Sequence, residues 1–262
     1  MNLDLSGKTA IVCGSTQGIG KATALQLAKM RANIVLVARD DVKLASVMDE
    51  LDISNGQKHN YIKADFNLPA ELKLRVETFI KENGPAHILV NNTGGPPGGP
   101  AIGAKTDEYT SAFNMHLISN QCLAQALVEG MKSEGYGRII NVISTSVKQP
   151  LNGLGVSNTI RGAVASWAKT LANELGEFNI TVNNVLPGAT NTVRLQSIIE
   201  TKASKTGRNI EDISNEMTNQ VPMKRFAEAV EIANAISFLA SPAASYINGI
   251  NVPVDGGRTK SL

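Results

Sequence analysis

Gly14, Gly18 and Gly20 stand in the stretch "CGSTQGIGKATALQLA", between an apolar run and a helical one. Where a turn lacks Cβ atoms the backbone can come close to a ligand. The free N–H groups and dipole of the helix that follows then favour a negative charge. The chemistry such a turn serves is pyrophosphate binding, with Ser15, Thr16, Gln17 and Ile19 as the intervening positions of the cradle. The spacing, Gly-x-x-x-Gly-x-Gly, departs from the Gly-x-Gly-x-x-Gly dinucleotide fingerprint, and a tight strand-to-helix turn would use glycines too. Its place between a strand and a helix at the start of the chain favours the dinucleotide reading.

The elements that must hold this turn follow from periodicity. Short β-branched runs ("KTAIVC", "NIVLVA", "HNYIKA", "HILVNN", "GRIINVI", "ITVNNVL", "GINVPVD") alternate with amphipathic stretches near 18–30, 41–51, 69–82, 106–132, 154–176 and 227–239. The runs are almost continuously apolar, as strands covered on both faces require. Strand–helix alternation with right-handed crossovers predicts an α/β fold: one doubly wound, seven-stranded parallel sheet with helices on both faces. "GGPPGGP", residues 94–100, must be a loop. Between Pro187 and Pro222 the pattern holds no strand, only helical pieces near 192–204 and 210–219. A lid over 188–222 is expected there, at the sheet edge where such folds bind ligands, with a plain surface excursion as the alternative.

Bulk properties exclude several classes. A chain of 262 residues suits one α/β domain, 1–262, better than two small ones. With 42% hydrophobic and 18% charged residues it is globular in composition, and a net charge of +2 without a basic run argues against a nucleic-acid partner. No apolar run approaches the roughly 20 residues of a membrane span. Cys13 and Cys122 are too few for a disulfide framework, and Cys13, ending an apolar run, reads as a buried small hydrophobe. No signal-peptide pattern opens the chain, so a cytoplasmic location is expected.

Taken together, these motifs resemble the short-chain dehydrogenase/reductase family, close in pattern to bacterial 3-oxoacyl-(acyl carrier protein) reductases. "CGSTQGIG" is similar to the family's Thr-Gly-x-x-x-Gly-x-Gly with Cys13 for the threonine, "NNTG" (91–94) to Asn-Asn-Ala-Gly, and "INGINVPVDGG" to its last strand. The resemblance covers nearly the whole chain and implies a Rossmann fold. It also implies a nicotinamide cofactor, a small carbonyl or alcohol substrate, and a homotetramer or homodimer. By the same resemblance Asp65 meets the adenine with Phe66 beside it, Asn92 and Gly94 border the cofactor, and Pro187 and Gly188 precede the lid. Thr190 and Thr192 would contact the nicotinamide amide or pyrophosphate, or cap the next helix.

Cofactor choice turns on the end of the second strand. A carboxylate there would take both ribose hydroxyls and reject a 2′-phosphate. This chain has Ala38 followed by Arg39, whose guanidinium suits a 2′-phosphate, so NADP(H) is favoured over NAD(H). Asp40 and Asp41 are the competitors for that charge.

The family's catalytic serine, tyrosine and lysine fall on Ser144, Ser157 and Arg161, and its mid-helix asparagine on Asn114. Flanking "RGAVASWAKTLANEL" and "ITVNNVLPG" keep the register, so the two departures are substitutions and not a slip of alignment. None of the four tyrosines, Tyr61, Tyr109, Tyr136 and Tyr246, lies in that helix. Tyrosine titrates near about 10 and a neighbouring cation lowers it, whereas a serine hydroxyl is a far weaker acid. Arg161 stays charged, so it can bind ribose or an oxyanion but not shuttle protons. Asn158 can share the face of Ser157. Lys148, followed by Gln149 in the loop after Ser144, is either a desolvated acid or a solvated surface lysine. His116, two residues from Asn114, would point to another side of a regular helix, and is expected to pack in the helix layer or face solvent. Trp167 reads as helix core.

Three readings remain open at this stage. The first is an NADP(H)-dependent oxidoreductase whose proton comes through water from Ser157, from Lys148 or from the substrate. The second is a dinucleotide-binding sensor or interaction subunit without turnover. The third keeps the enzyme but changes the reaction to lyase or epimerase chemistry.

Overall fold

The computed structural model describes residues 1–261. The first half of the chain runs β1 (Thr9–Cys13), α1 (Gly18–Lys29), β2 (Asn33–Ala38), α2 (Asp41–Met48), β3 (Asn60–Lys63), α3 (Pro69–Asn83) and β4 (Ile88–Asn91). Next come α4 (Thr106–Phe113), a π-helical turn (Asn114–Ile118), α5 (Ser119–Ser133), β5 (Gly137–Val142), α6 (Gly155–Leu175) and β6 (Ile180–Pro187). A short strand β7 (Thr190–Asn191), α7 (Val193–Thr206), α8 (Ile210–Asn219), β8 (Ala227–Glu228), α9 (Ala229–Ala240) and β9 (Asn251–Val254) complete it.

The seven-stranded sheet expected from the sequence is present, all parallel, in the order β3-β2-β1-β4-β5-β6-β9. Chain order reverses between β1 and β4, which opens a crevice at their carboxyl ends. Helices cover both faces. Leu27 of α1 packs with Ile232 and Ile236 of α9 on one side; Val76 of α3, Leu127 of α5 and Ala168 of α6 form the layer on the other. Cys13 is fully buried, as expected.

Three expectations change. Strand β3 is an edge strand in which Asn60, Tyr61 and Lys63 are exposed and only Ile62 is buried, so it is not covered on both faces. The helix expected over 106–132 is broken by the π turn, where Ser119 N–H reaches back five residues to Asn114 O. The 188–222 segment does hold a strand: Thr190 and Asn191 pair with Ala227 and Glu228, closing the base of the α7–α8 excursion. That excursion has a small core of its own, Leu195, Ile199, Ala203 and Ile213.

Four asparagines fix the register of the sheet's second half. Asn91, Asn141, Asn184 and Asn251 are aligned across β4, β5, β6 and β9. Each side-chain amide donates to the next carbonyl oxygen along the row: Asn91 to Asn141 at 2.8 Å, Asn141 to Asn184 at 2.9 Å, Asn184 to Asn251 at 2.8 Å. The first three residues are buried, so a register slip would strand amides among apolar side chains. Asn141 serves both neighbours, and Asn141→Leu leaves one donor and one acceptor unpaired. A loss of about 2–4 kcal/mol in unfolding free energy is expected, measured by denaturant midpoint at constant slope.

Candidate active site

The crevice is built from three strand ends. At β1 the chain turns with Gly14 at φ +59° and Gly18 at φ +54°, conformations that favour glycine. A Cβ on Gly14 would lie 2.5 Å from the Asn92 backbone oxygen, and one on Gly20 would strike the Gly14 carbonyl. Asn92, just past β4, donates from Nδ2 to the Cys13 and Gly14 carbonyls at 3.2 and 3.3 Å, locking the turn to the next strand. Ser15 is fully buried, and its Oγ accepts the Val37 N–H at 3.1 Å, tying the turn to β2. Gln17 caps α1 in an extended conformation, with no side-chain bond to the first turn. Gly18, Ile19 and Gly20 therefore present their N–H groups at the helix start, as an anion cradle requires. The glycine turn, with Thr16 in its loop, fits a pyrophosphate.

Past β2 and β3 the chain ends lie side by side, since Ala64 N–H bonds the Ala38 carbonyl at 2.9 Å. This brings Arg39 and Asp65 together at the crevice's far end. Asp40 and Asp41 do not compete for Arg39: Asp40 caps α2 and pairs with Lys43, and Asp41 pairs with Lys63. Asp65 Oδ1 accepts from Asn67, and buried Phe66 offers its carbonyl to Ser119 Oγ at 2.8 Å.

The third edge is β5. Ser144 begins a 3₁₀ turn, Thr145–Val147, and its Oγ accepts the Ser146 N–H at 3.1 Å. Lys148 ends that turn, and Gln149 Oε1 accepts the Lys260 N–H at 3.3 Å. Arg161, on α6, is only 9% exposed and donates from Nη1 to the Val142 carbonyl at 3.1 Å, two residues before Ser144. Burial lowers its pKa to about 10, which leaves it charged at neutral pH. Half-buried Ser157 lies one helical turn earlier on the same face. Asn158 is turned away to bond the Leu151 carbonyl at 2.9 Å.

Of the two expectations for His116, packing holds and surface exposure does not. The π turn carries its side chain into the crevice wall, where it is 2% exposed and its Nδ1 lies 2.7 Å from Thr93 Oγ1. Burial, with the nearby Arg161 charge adding to it, pushes its pKa down to about 2, so the imidazole is neutral. Its Nε2 is buried without a hydrogen-bond partner. Thr93 and His116 are the two site residues that sequence reasoning missed. The available signal was Thr93, a hydroxyl where the family motif has alanine. The extra residue in the helix turn left no mark in the apolar period. Half-buried Asn114 begins the π turn.

Helix α7 starts beside the glycine turn. Thr192 caps it, accepting the Leu195 N–H, and its Cγ2 would lie 3.2 Å from a Cβ on Gly18. Thr190 Oγ1 donates to Gly188 O, and Gly188 N–H bonds Val254 O, which anchors the segment after Pro187. Arg194 Nη2 bonds the Pro96 carbonyl at 2.9 Å, linking α7 to the Gly/Pro loop beyond Gly94. That loop is itself pinned to the start of α6 by Gly99 and Gly155. Trp167, expected as core, is partly buried and donates from Nε1 to Gln121 at 2.7 Å.

A parallel sheet with a glycine turn at its switch point, Asn92 across from it and Ser144 at the third edge defines a dinucleotide-binding oxidoreductase fold. The chain belongs to the short-chain dehydrogenase/reductase family: residues 14–259 match the family model described as enoyl-(acyl carrier protein) reductase. It is 31% identical over 262 residues to 7alpha-hydroxysteroid dehydrogenase of Escherichia coli, covering 100% of this chain and 98% of that protein. It is 30% identical over 261 residues to the 3-oxoacyl-[acyl-carrier-protein] reductase FabG of Pseudomonas aeruginosa, covering 99% and 100%. Among solved structures it is similar to L-sorbose reductase from Gluconobacter frateurii, complexed with NADPH and L-sorbose, at 33% identity. That match covers 100% of both chains with a TM-score of 0.93. No helix among the described residues is long and apolar enough to cross a membrane. Nor does any group of three or more potential metal ligands occur among them.

Two glycines test the cradle against a control. Gly20→Ala should cost about 1–3 kcal/mol, because its Cβ meets backbone that cannot move aside. Gly162→Ala, in α6 with open space around it, should stabilise by about 0.5–1 kcal/mol. Denaturant melts of the two variants read both signs.

Proposed function

We propose that the protein is an NADP(H)-dependent reductase that interconverts a carbonyl and an alcohol on a small substrate. The observation that carries this reading is the intact glycine turn, locked by Asn92, facing a buried Arg161 and Ser144 within a full-length reductase-family match. Relatives named as NADPH-dependent support the cofactor, and so does Arg39, exposed and outside every ion pair formed by its acidic neighbours. Gly14 to Gly20 would hold the pyrophosphate, Arg39 the 2′-phosphate, Asp65 and Phe66 the adenine. Asn92, Gly94, Pro187, Gly188, Thr190 and Thr192 would border the nicotinamide half. When bound, the cofactor supplies the hydride.

The chain's own residues do the rest. Ser144 Oγ accepts the Ser146 N–H and keeps its own O–H to donate to the substrate carbonyl oxygen. Arg161 holds the nicotinamide ribose and lends its charge to the oxyanion as the carbonyl π pair moves onto oxygen. Neither Ser157 nor neutral His116 is an acid of the strength that tyrosine provides, so the final proton comes from water held by the Ser157 hydroxyl. Lys148 in the substrate loop is the other candidate donor. Assembly as a homotetramer or homodimer, and a cytoplasmic location, belong to the same reading.

Single-turnover hydride transfer from NADPH across a panel of ketones and aldehydes tests the proposal. Oxidation of NADPH with at least one member is expected. Ser157→Tyr combined with Arg161→Lys should raise that rate by a factor on the order of 10²–10⁴ by restoring a positioned acid. Cofactor binding with no oxidation, and no gain in the double variant, would favour the sensor.

The rate should stay flat between about pH 6 and 9. His116 has already lost its proton well below this range and Arg161 keeps its proton through it. A fall with rising pH that vanishes in Lys148→Ala would identify Lys148 as the donor instead. Arg39→Ala should weaken NADPH binding roughly 10- to 100-fold and leave NADH binding unchanged; equal effects on both would sink the 2′-phosphate assignment.

A further inference from the structure

Arg161 is a buried cation with no acid to balance it. Its hydrogen bond within the protein goes to a neutral carbonyl, Val142 O, and no ion pair among the described residues includes it. A guanidinium carries five N–H donors in one plane, and a buried charge ordinarily has a counter-ion.

The surroundings supply none. Residues 84–106, from the end of α3 through the Gly/Pro loop, contain no Asp or Glu. Neither do residues 135–173, which carry β5 and most of α6, nor 178–199, which carry β6 and the first half of α7. These segments meet around Arg161 and Ser144 together with α4 and the π turn, whose two acids lie at the start of α4, Asp107 exposed and Glu108 taken up by the Lys105 N–H. They do contain a second arginine, Arg194, which reaches the loop at Pro96 and makes no ion pair among the described residues. His116, beside Arg161, is neutral and leaves Nε2 buried and unpartnered. In the tautomer where Thr93 Oγ–H donates to Nδ1, Nε2 carries the proton and is a further donor; in the other it is an acceptor. The wall thus offers hydrogen-bond donors and positive charge, and no carboxylate.

We propose that the substrate is an oxo acid, whose carboxylate lies against the Arg161 N–H groups that Val142 O and the nicotinamide ribose leave over, while its carbonyl meets Ser144. Val142, which holds Arg161, and Ser144 are two residues apart at one strand end, so the two substrate groups must be close: a 2- or 3-oxo acid head. The carboxylate takes no part in the electron balance. NADPH is the reductant; its hydride forms the new C–H bond, the C=O π pair becomes the alkoxide, and water provides the proton, giving the hydroxy acid. This substrate class rests on the reductase reading for its chemistry, but binding of the acid does not require turnover.

The test is calorimetric titration of the protein saturated with NADP⁺, in which no carbonyl can be reduced and the cofactor's own charge is already in place. The probes are acetoacetate and benzoylformate, each against its methyl ester. At least one acid should bind about tenfold or more tightly than its ester. That preference should shrink at least severalfold in Arg161→Met and be largely kept in Arg161→Lys. It should also survive high salt, because a buried contact is screened far less than a surface one. Esters binding as well as acids would overturn the proposal. So would failure of both acids to bind at millimolar concentration, or a preference that high salt removes. If Arg161→Met does not fold, the wild-type preference and its salt dependence decide the matter. Acids that bind but never oxidise NADPH would defeat the reductase reading and leave the anion site standing. NADPH oxidation by neutral ketones alone, without acid binding, would do the reverse.

Discussion

The row of hydrogen-bonded asparagines across β4, β5, β6 and β9 is the constraint on which the site depends. Parallel strands do not set their own register, since their backbone bonds are evenly spaced and their side chains here are apolar on both faces. Three buried amides and a half-buried fourth, each bonded to the next, remove that freedom. The consequence lies one to four residues downstream. Asn92 and Thr93 leave β4, Ser144 leaves β5, and the Pro187–Gly188 corner leaves β6, all at the same edge. Slipping any one strand would pull its functional residue out of the crevice as well as exposing amides to an apolar core.

Given that edge, two elements shape the electrostatics. The glycine turn gathers N–H groups on one side of the switch point, and α6 brings a guanidinium to the other. The π turn matters because it replaces a regular helical face with one that puts His116 against Arg161, with its imidazole held by Thr93. Burial keeps the imidazole neutral, while the arginine stays charged in spite of its burial, which lowers its pKa only to about 10. The family's tyrosine and lysine form a pair tuned for proton delivery. Here the same positions hold a hydroxyl that is a poor acid and a cation that keeps its proton, which is why the proposed mechanism draws its proton from elsewhere.

Much of this was legible in the chain. Continuous apolar runs alternating with helical periods determine a doubly wound sheet. The flanks of "GVSNTIRGAV" keep the register that sets Ser157 and Arg161 at the positions of the family's tyrosine and lysine. The glycine spacing, the Arg39 position and Ser144 also follow from local order, because each is set by where a strand ends. What local order could not decide was anything that depends on neighbours distant in sequence. Asp40 and Asp41, next to Arg39, look like competitors until Lys43 and Lys63 are seen to hold them. His116 looks like a surface or packing residue until an inserted helical residue turns it inward. Asparagines in four separate strands are ordinary polar interruptions until pairing aligns them. Sequence alone determines the elements, since periodicity and turn chemistry act over a few residues. The tertiary structure decides partner, burial and charge, since those arise only when residues tens of positions apart are brought within hydrogen-bond distance.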